Sequence, residues 1–401
     1  MESTTSPGES TRAVHPPAAP RPDQTPVGLP VYRTAAFRFG SAQEYADLLS
    51  GDRAGYSYSR VDNPTTDAFA QAVAALEGVG VDGEVAAQPF ASGMAAVSTV
   101  LMTLTRSGAH VVAPREVYGG TYGLLTTVLD RFGVEVDFVD LTDLEAVRAA
   151  IRPETKVLWG ETLANPTMSV ADLPGLAAIS REAGLTFVVD STFASPAVCR
   201  PLEHGVDVVV HSATKYLGGH SDATGGVAVG SPELMARVRH DRIDLGGVLA
   251  PDEAFLLHRG LATLPLRMER HCSSALVVAT ALVEHPRVTR VDFPGLPTHP
   301  DHALAGKLFD AGRYGAIVTV TPEGGREAGL ALCDRLRLVS IATSLAGTSS
   351  KVSHVATTTH RQLDDAALAA AGIDPGAVRI SVGLEDPDDL VADVEQALDA
   401  L

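Results

Sequence analysis

His211–His220 reads HSATKYLGGH, and the reading of this stretch decides the fold. An apolar run, Val206–Val210, leads into it, and a stretch of small residues, Gly225–Gly230, follows. The pattern predicts a strand, a turn carrying Lys215, and a second strand. A lysine on a turn between two buried strands is partly desolvated. Desolvation disfavours the ammonium and leaves an amine that can act as a nucleophile and form a Schiff base. Ser212 and Thr214 add hydroxyls, as an anion site needs. Taken alone, such a lysine also reads as an ordinary solvated residue at a strand end.

Working outward, the chain upstream alternates between strand and helix patterns. Strands are expected at a short stretch ending at Phe90, then at His110–Pro114, Glu135–Val139, Lys156–Trp159 and Thr186–Asp190. Helices are expected from Ser92-Gly93-Met94 onward, then at Gly119–Phe132, Leu144–Ile151 and Leu173–Ala183. This alternation implies a mostly parallel sheet covered on both faces. In such sheets ligands bind beyond the carboxyl ends of the strands. Asn165 in ETLANPT, Asp190 in VVDST and Lys215 all fall at such ends.

Asp190 closes the apolar run FVV, so its carboxylate needs a partner or a raised pKa. It reads either as a helix N-cap or as the partner of a cationic ring nitrogen. Ser92-Gly93-Met94 opens an apolar helix whose free amides make an anion site, although the same signature serves as a plain cap. Tyr58 and Arg60, in YSYSRVDNPTT before the helix pattern Thr66–Leu76, read as loop surface or as a pair gripping a phosphate. Arg379, in VRISVGLE, reads as a solvated rung or as a bidentate clamp on a carboxylate.

Downstream of Gly230 the pattern becomes helical, at Pro232–Asp241, Asp252–Leu261 and a long Pro265–His285. Strands at Val288–Phe293, Ala316–Thr321, Ser340–Ala342, Ser353–His354 and Val378–Val382, with a helix at Arg326–Leu336, predict a second, smaller α/β domain. Ser344 follows one of these strands. Ser41–Leu49 reads as a short helix. Met1–Pro30, rich in Pro, Ser, Thr and Ala, buries too little apolar surface to order itself and reads as a tail.

The 401 residues suffice for two or three domains and a large core. A net charge of −18 argues against nucleic-acid or anionic-membrane binding as a main task. Cys199, Cys272 and Cys333 are scattered without metal-ligand spacing and read as buried reduced thiols of a cytosolic protein. No apolar run reaches the roughly 20 residues that span a bilayer. No basic-then-apolar signal segment opens the chain.

Eight blocks now align in order: YSYSRVDNPT, ASGMAA, VYGGTY, ETLANPT, VVDSTF, HSATKYLGGHSD, LRMERH and RISVGLED. From about Pro30 to the C-terminus the chain resembles the pyridoxal-phosphate enzymes of cysteine and methionine metabolism. That family includes cystathionine γ-synthase, cystathionine γ-lyase, methionine γ-lyase and O-acetylhomoserine sulfhydrylase. The resemblance implies an α/β fold of type I, like aspartate aminotransferase, with a mostly parallel seven-stranded type of sheet and a smaller C-terminal domain. The implied divisions are a tail at 1–28, an arm at 29–65 reaching the neighbouring subunit's site, a cofactor-binding domain at 66–262 and a C-terminal domain at 263–401. It further implies pyridoxal 5′-phosphate as cofactor, a small amino-acid substrate, a homotetramer built from two active-site dimers, and a cytoplasmic enzyme that binds neither nucleic acid nor membrane nor metal.

Carried over residue by residue, Lys215 is implied as the lysine bonded to the cofactor and as the base beside Cα. Asp190 is implied as the partner of the ring nitrogen. Gly93 and Met94 amides with Ser212 and Thr214 hydroxyls would cradle the phosphate, and Tyr58 and Arg60 would reach it from the neighbouring subunit. Tyr118 would stack on the ring and protonate a leaving group. Asn165, Ser344 and Arg379 would hold the amino acid. The expected reaction is γ-elimination from a γ-substituted L-amino acid such as methionine, homocysteine or an unusual amino acid of specialised metabolism. The alternative is γ-replacement on an O-acylated homoserine. A cofactor-free scaffold is a third reading, opposed by the retained Lys215, Asp190, Tyr118 and Arg379. Two departures bear on substrate. Gly120 stands where methionine γ-lyases commonly have cysteine, which weakens a methionine-specific reading. In Ser344–Ser350 the usual acidic residue is replaced by Ser349, and Lys351 follows where an apolar residue is usual; loss of the acid implies a substrate without a distal ammonium and disfavours cystathionine.

Overall fold

Alternating valines build the first sheet. In the computed structural model, which describes residues 8–15, 23–361 and 363–401, seven strands pair into one sheet. They are β1 (Ala86–Phe90), β2 (His110–Pro114), β3 (Glu135–Val139), β4 (Thr155–Glu161), β5 (Thr186–Asp190), β6 (Val208–Ser212) and β7 (Gly226–Gly230). Their order is β1-β7-β6-β5-β4-β2-β3. β7 runs antiparallel to both its neighbours, and the other pairings are parallel. Successive side chains go to opposite faces, and both faces are dry. Val209, Phe187 and Leu158 join one apolar cluster; Val208, Val210, Val188 and Trp159 join another on the other side.

A second sheet follows, in the order β10-β11-β12-β9-β8. Its strands are β8 (Val288–Asp292), β9 (Ile317–Pro322), β10 (Ser340–Ile341), β11 (Lys351–His354) and β12 (Val378–Ser381). The 20-residue helix Leu264–Val283 joins the two sheets, and its inner residues Met268, Cys272, Val278 and Leu282 belong to the same core as Val318, Val320 and Ile380. All three cysteines are buried and free.

Four expectations need correction. The strand before Lys215 is Val208–Ser212, two residues later than Val206–Val210. The ladder opens at Val188 opposite Val208, and the Asp207 carboxylate just before it accepts the Phe187 amide at 2.8 Å. Gly119–Phe132 is not one helix. It passes from an α turn (Gly119–Gly123) through a π turn (Leu124–Leu129) to a 3₁₀ turn (Asp130–Phe132). Three glycines in its first turn, at positions 119, 120 and 123, weaken the regular ladder. The strand expected at Ser353–His354 begins at Lys351, which brings that lysine into the sheet. Helices His302–Leu308, Asp365–Ala370 and Pro387–Asp399 went unread.

Val31–Leu401 forms one compact unit, and Met1–Pro30 is separate. Within the latter, Glu9–Val14 is a short exposed helix. The expected tail includes residues 1–7 and 16–22, which lie outside the described residues. Among the described residues no helix is long and apolar enough to cross a membrane.

Candidate active site

Lys215 sits on the turn after β6, at the carboxyl end of the parallel strands. Its amide donates to the Ser212 carbonyl at 3.1 Å, and its own carbonyl accepts the Gly219 amide at 2.7 Å, so both ends of the turn are fixed. The ε-amine donates to the Ser344 hydroxyl. Burial lowers its pKa to about 8, helped by the positive charges of Arg379 and Lys351. The sequence expectation of a desolvated lysine is met.

The anion cradle is a matter of close approach. Helix Gly93–Leu104 starts with Ser92, whose hydroxyl accepts the Ala95 amide at 3.1 Å. That leaves the Gly93 and Met94 amides without intrahelical acceptors at the positive end of the helix dipole. A Cβ at Gly93 would lie 2.7 Å from the Ser212 Cβ, and one at Gly226 would overlap the Ser92 carbonyl. Only glycines let the helix start touch β6 and β7. Ser212 is held by its amide, which donates to the Thr192 hydroxyl at 2.8 Å. The Thr214 hydroxyl accepts the Gly225 amide at 3.0 Å and closes the loop.

Asp190 ends β5 beside Lys215's strand, and its Oδ1 accepts the Thr192 amide at 2.9 Å. It therefore caps and also faces the site. Burial raises its pKa. Directly opposite in the ladder stands Glu161, the last residue of β4, which is buried. Glu161 Oε1 accepts the Tyr118 amide at 2.7 Å. Burial and then repulsion from Asp190 push the Glu161 carboxyl well above the ordinary range. Behind Asp190, His211 and Glu77 form a 2.7 Å pair in which both side chains are 1% exposed or less. Hydrogen bonds from Thr192 pull the Asp190 pKa back down.

The substrate side converges from the second sheet. Arg379 lies on the central strand β12 and is 4% exposed, so it is no solvated rung. Its guanidinium donates to Asn165 Oδ1 at 3.1 Å and to the Ser344 carbonyl at 3.3 Å. Its Nε is buried without an acceptor, and among the described residues no carboxylate lies in ion-pair reach. Burial lowers its pKa to about 10. A buried cation without a counter-ion is costly and marks a place for an anion. Ser344 and Ala346 hold φ values of 78° and 63°, in the left-handed region where a non-glycine residue stores about 1–3 kcal/mol of strain. His360, buried beside Arg379, is held neutral with its pKa lowered to about 4, chiefly by burial.

Tyr118 is 45% exposed, with its ring folded over Gly120. A Cβ at 120 would lie 2.6 Å from Tyr118 Cε1 and 3.0 Å from Met94 Sδ, which is the physical meaning of glycine at this position. Tyr58 and Arg60 lie apart from this group. Arg60 donates to the Ile243 carbonyl at 2.8 Å and stands over the Tyr58 ring at 5.9 Å. Among the described residues, no hydrogen bond or ion pair ties either of them to Lys215.

A match to a family described as Cys/Met metabolism PLP-dependent enzyme spans residues 10–399. The chain belongs to this family. It is 43% identical to an L-methionine gamma-lyase of Pseudomonas putida over 396 residues, covering 98% of each chain. It is 41% identical to a cystathionine gamma-synthase of Mycobacterium tuberculosis over 392 residues, covering 98% of this chain and 97% of the other. A crystal structure of a Campylobacter jejuni protein containing N'-pyridoxyl-lysine-5'-monophosphate superposes with a TM-score of 0.89 at 32% identity, over 95% of this chain and 97% of that one. The fold is therefore of type I, and the protein is an enzyme that uses pyridoxal phosphate. The residues present fit that group. The glycine-lined cradle would take a phosphate, Lys215 offers an amine whose pKa burial lowers to about 8, and Asp190 closes the strand beside that of Lys215.

Sequence reasoning missed Glu161, Glu77, His211 and His360 as parts of the site. Glu161 carried a usable signal: it ends the run VLWG just as Asp190 ends FVV.

Proposed function

We propose that the enzyme catalyses γ-elimination from an L-amino acid bearing a leaving group on Cγ, with methionine or homocysteine as the simplest candidates. One observation carries the reading: among the described residues the buried guanidinium of Arg379 lacks a counter-ion, while the amine of Lys215, its pKa lowered to about 8, sits on the Ser344 hydroxyl next to it. In this reading the α-carboxylate of the substrate takes up Arg379, with Asn165 and Ser344 fixing the fork. When bound, pyridoxal phosphate supplies a conjugated ring that withdraws electrons from Cα. Gly93, Met94, Ser212 and Thr214 would hold its phosphate, and Tyr118 would cover its ring. Asp190 would hold the proton of the ring nitrogen. Lys215 Nζ removes the Cα proton and then a Cβ proton, and the Tyr118 hydroxyl gives its proton to the departing group. With one water consumed, the products are a 2-oxo acid, ammonia and the protonated leaving group.

The division into an arm at 29–65, a cofactor domain at 66–262 and a C-terminal domain at 263–401 belongs to the same proposal, as do a cytoplasmic location and a homotetramer of active-site dimers. The arm is the reason for the last point. Tyr58 and Arg60 make no contact with their own Lys215 turn, which fits service to a neighbour. Arg60→Ala is expected to weaken cofactor retention about tenfold or more, the worth of a charge-assisted contact to phosphate. Dialysis against buffer, followed by cofactor absorbance, reads it; unchanged retention removes Arg60 from the phosphate site.

The test of the reaction is to supply L-methionine and O-acetyl-L-homoserine with and without a thiol. Release of 2-oxobutanoate and ammonia without thiol is expected. Strict thiol dependence would move the enzyme to γ-replacement, which the similarity to a cystathionine gamma-synthase supports as the second reading.

A further inference from the structure

Among the chain's four lysines, two converge on one site. Lys351 opens β11, directly opposite Ser381 of β12, while Ser353 stands opposite Arg379. Residues facing each other across a ladder share a face, and so do residues two apart along a strand. Lys351 and Arg379 therefore project from the same face as diagonal neighbours, with backbones about 7–8 Å apart. On that face Arg379 reaches Asn165 and Ser344.

Lys351 bends the other way, toward the loop beyond Lys215. Its Nζ donates to the Ser221 hydroxyl at 2.7 Å. Gly347 makes the room: a Cβ there would lie 2.5 Å from Ser221 Oγ and 2.6 Å from Lys351 Nζ. Ser221 itself holds a φ of 60°, so a left-handed kink presents its hydroxyl to the lysine. No acid answers the charge. Among the described residues, no carboxylate lies in ion-pair reach of Lys351. Asp222, next to Ser221, makes no ion pair with Lys351, and Glu385 is taken up by the Ser350 amide at 2.6 Å and hydroxyl at 2.9 Å. Burial lowers the Lys351 pKa, and its positive charge is felt at Lys215. In a chain of net charge −18, an uncompensated and partly desolvated cation at this place is an unfilled anion site.

We infer that Lys351, with Ser221, recognises a second anionic group at the far end of the substrate's γ-substituent, while Arg379 takes the α-carboxylate. This rests on the γ-elimination reading and names its substrate class: amino acids whose leaving group ends in a carboxylate or another anion. The reaction is otherwise the same, and the anionic leaving group departs with a proton on its sulfur or oxygen.

Two thioethers that differ only in charge test it: S-carboxymethyl-L-homocysteine and its neutral amide, S-carbamoylmethyl-L-homocysteine. Both release 2-oxobutanoate on γ-elimination. The holoenzyme is expected to prefer the carboxylate by about tenfold to a hundredfold in kcat/KM, the range of a charge-assisted hydrogen bond, with the difference in KM. The preference is expected to vanish in Lys351→Leu, persist in Lys351→Arg, and shrink with added salt. A merely structural role for Lys351 would lower both substrates together. Turnover of methionine with no preference for the carboxylate, or a preference that survives in Lys351→Leu, overturns the assignment and leaves the reaction class standing. No turnover of methionine or of either thioether overturns the γ-elimination reading and the assignment with it.

Discussion

Lys215→Ala is expected to lower kcat for every amino-acid substrate by at least about 10³, while the protein still folds and still takes up pyridoxal phosphate. The magnitude follows from losing one positioned base for two proton removals, each worth about 10²–10⁴. Folding is spared because the ε-amine makes its contact with Ser344 alone, and the turn is held by backbone hydrogen bonds of residues 212, 215 and 219. Borohydride treatment followed by mass analysis separates the covalent role from the binding role. The native chain gains the reduced cofactor at Lys215 and the variant does not. Turnover within tenfold of native would remove Lys215 from the reaction. The lowered pKa adds a second signature. The neutral amine is the reactive form, and its pKa of about 8 puts the transition well below the usual 10.5. Cofactor capture by the stripped enzyme should rise about tenfold per pH unit below pH 8 and level off above it. An unshifted lysine would keep rising toward 10.5.

The parts of this site that were legible in the sequence are those at strand ends. Lys215, Asp190 and Asn165 follow apolar runs, and strand–helix alternation places such positions on one rim. β2, β3 and β5 begin and end where their apolar patterns do. The illegible parts depend on neighbours distant in sequence. Arg379 in VRIS reads outward or inward with equal ease. It points inward because β12 lies between β11 and β9 at the centre of the second sheet, and its face turns toward Asn165. Glu77 closes an ordinary helix, and its partner His211 lies 134 positions on. The helix Pro387–Asp399 had a signal that went unused: proline in its first turn and apolar Leu390, Val394 and Ala397 at helical spacing.

Asp190 and Glu161 allow a sharper test than either residue alone, because both are neighbouring carboxyls with raised pKa values and only Asp190 closes the strand beside that of Lys215. Asp190→Asn keeps size and an acceptor for the Thr192 amide but removes the negative charge that holds a proton on the ring nitrogen. At hydrogen-bond range in a dry site that charge is worth several kcal/mol, so kcat should fall by about 10²–10⁴. Glu161→Gln keeps an acceptor for the Tyr118 amide and replaces a carboxyl whose pKa is raised well above the ordinary range, so it should cost less than about tenfold. The contrast follows from the ladder. The two residues are exact partners across β4 and β5, and both cannot be ionised without steep repulsion. Glu161 is the more enclosed and is raised further by Asp190, while hydrogen bonds from Thr192 favour the charge on Asp190. Steady-state kinetics of the two variants on one substrate decide the matter. Equal losses would mean that the proton sits elsewhere; a larger loss in Glu161→Gln would make Glu161 the partner of the ring and Asp190 its cap.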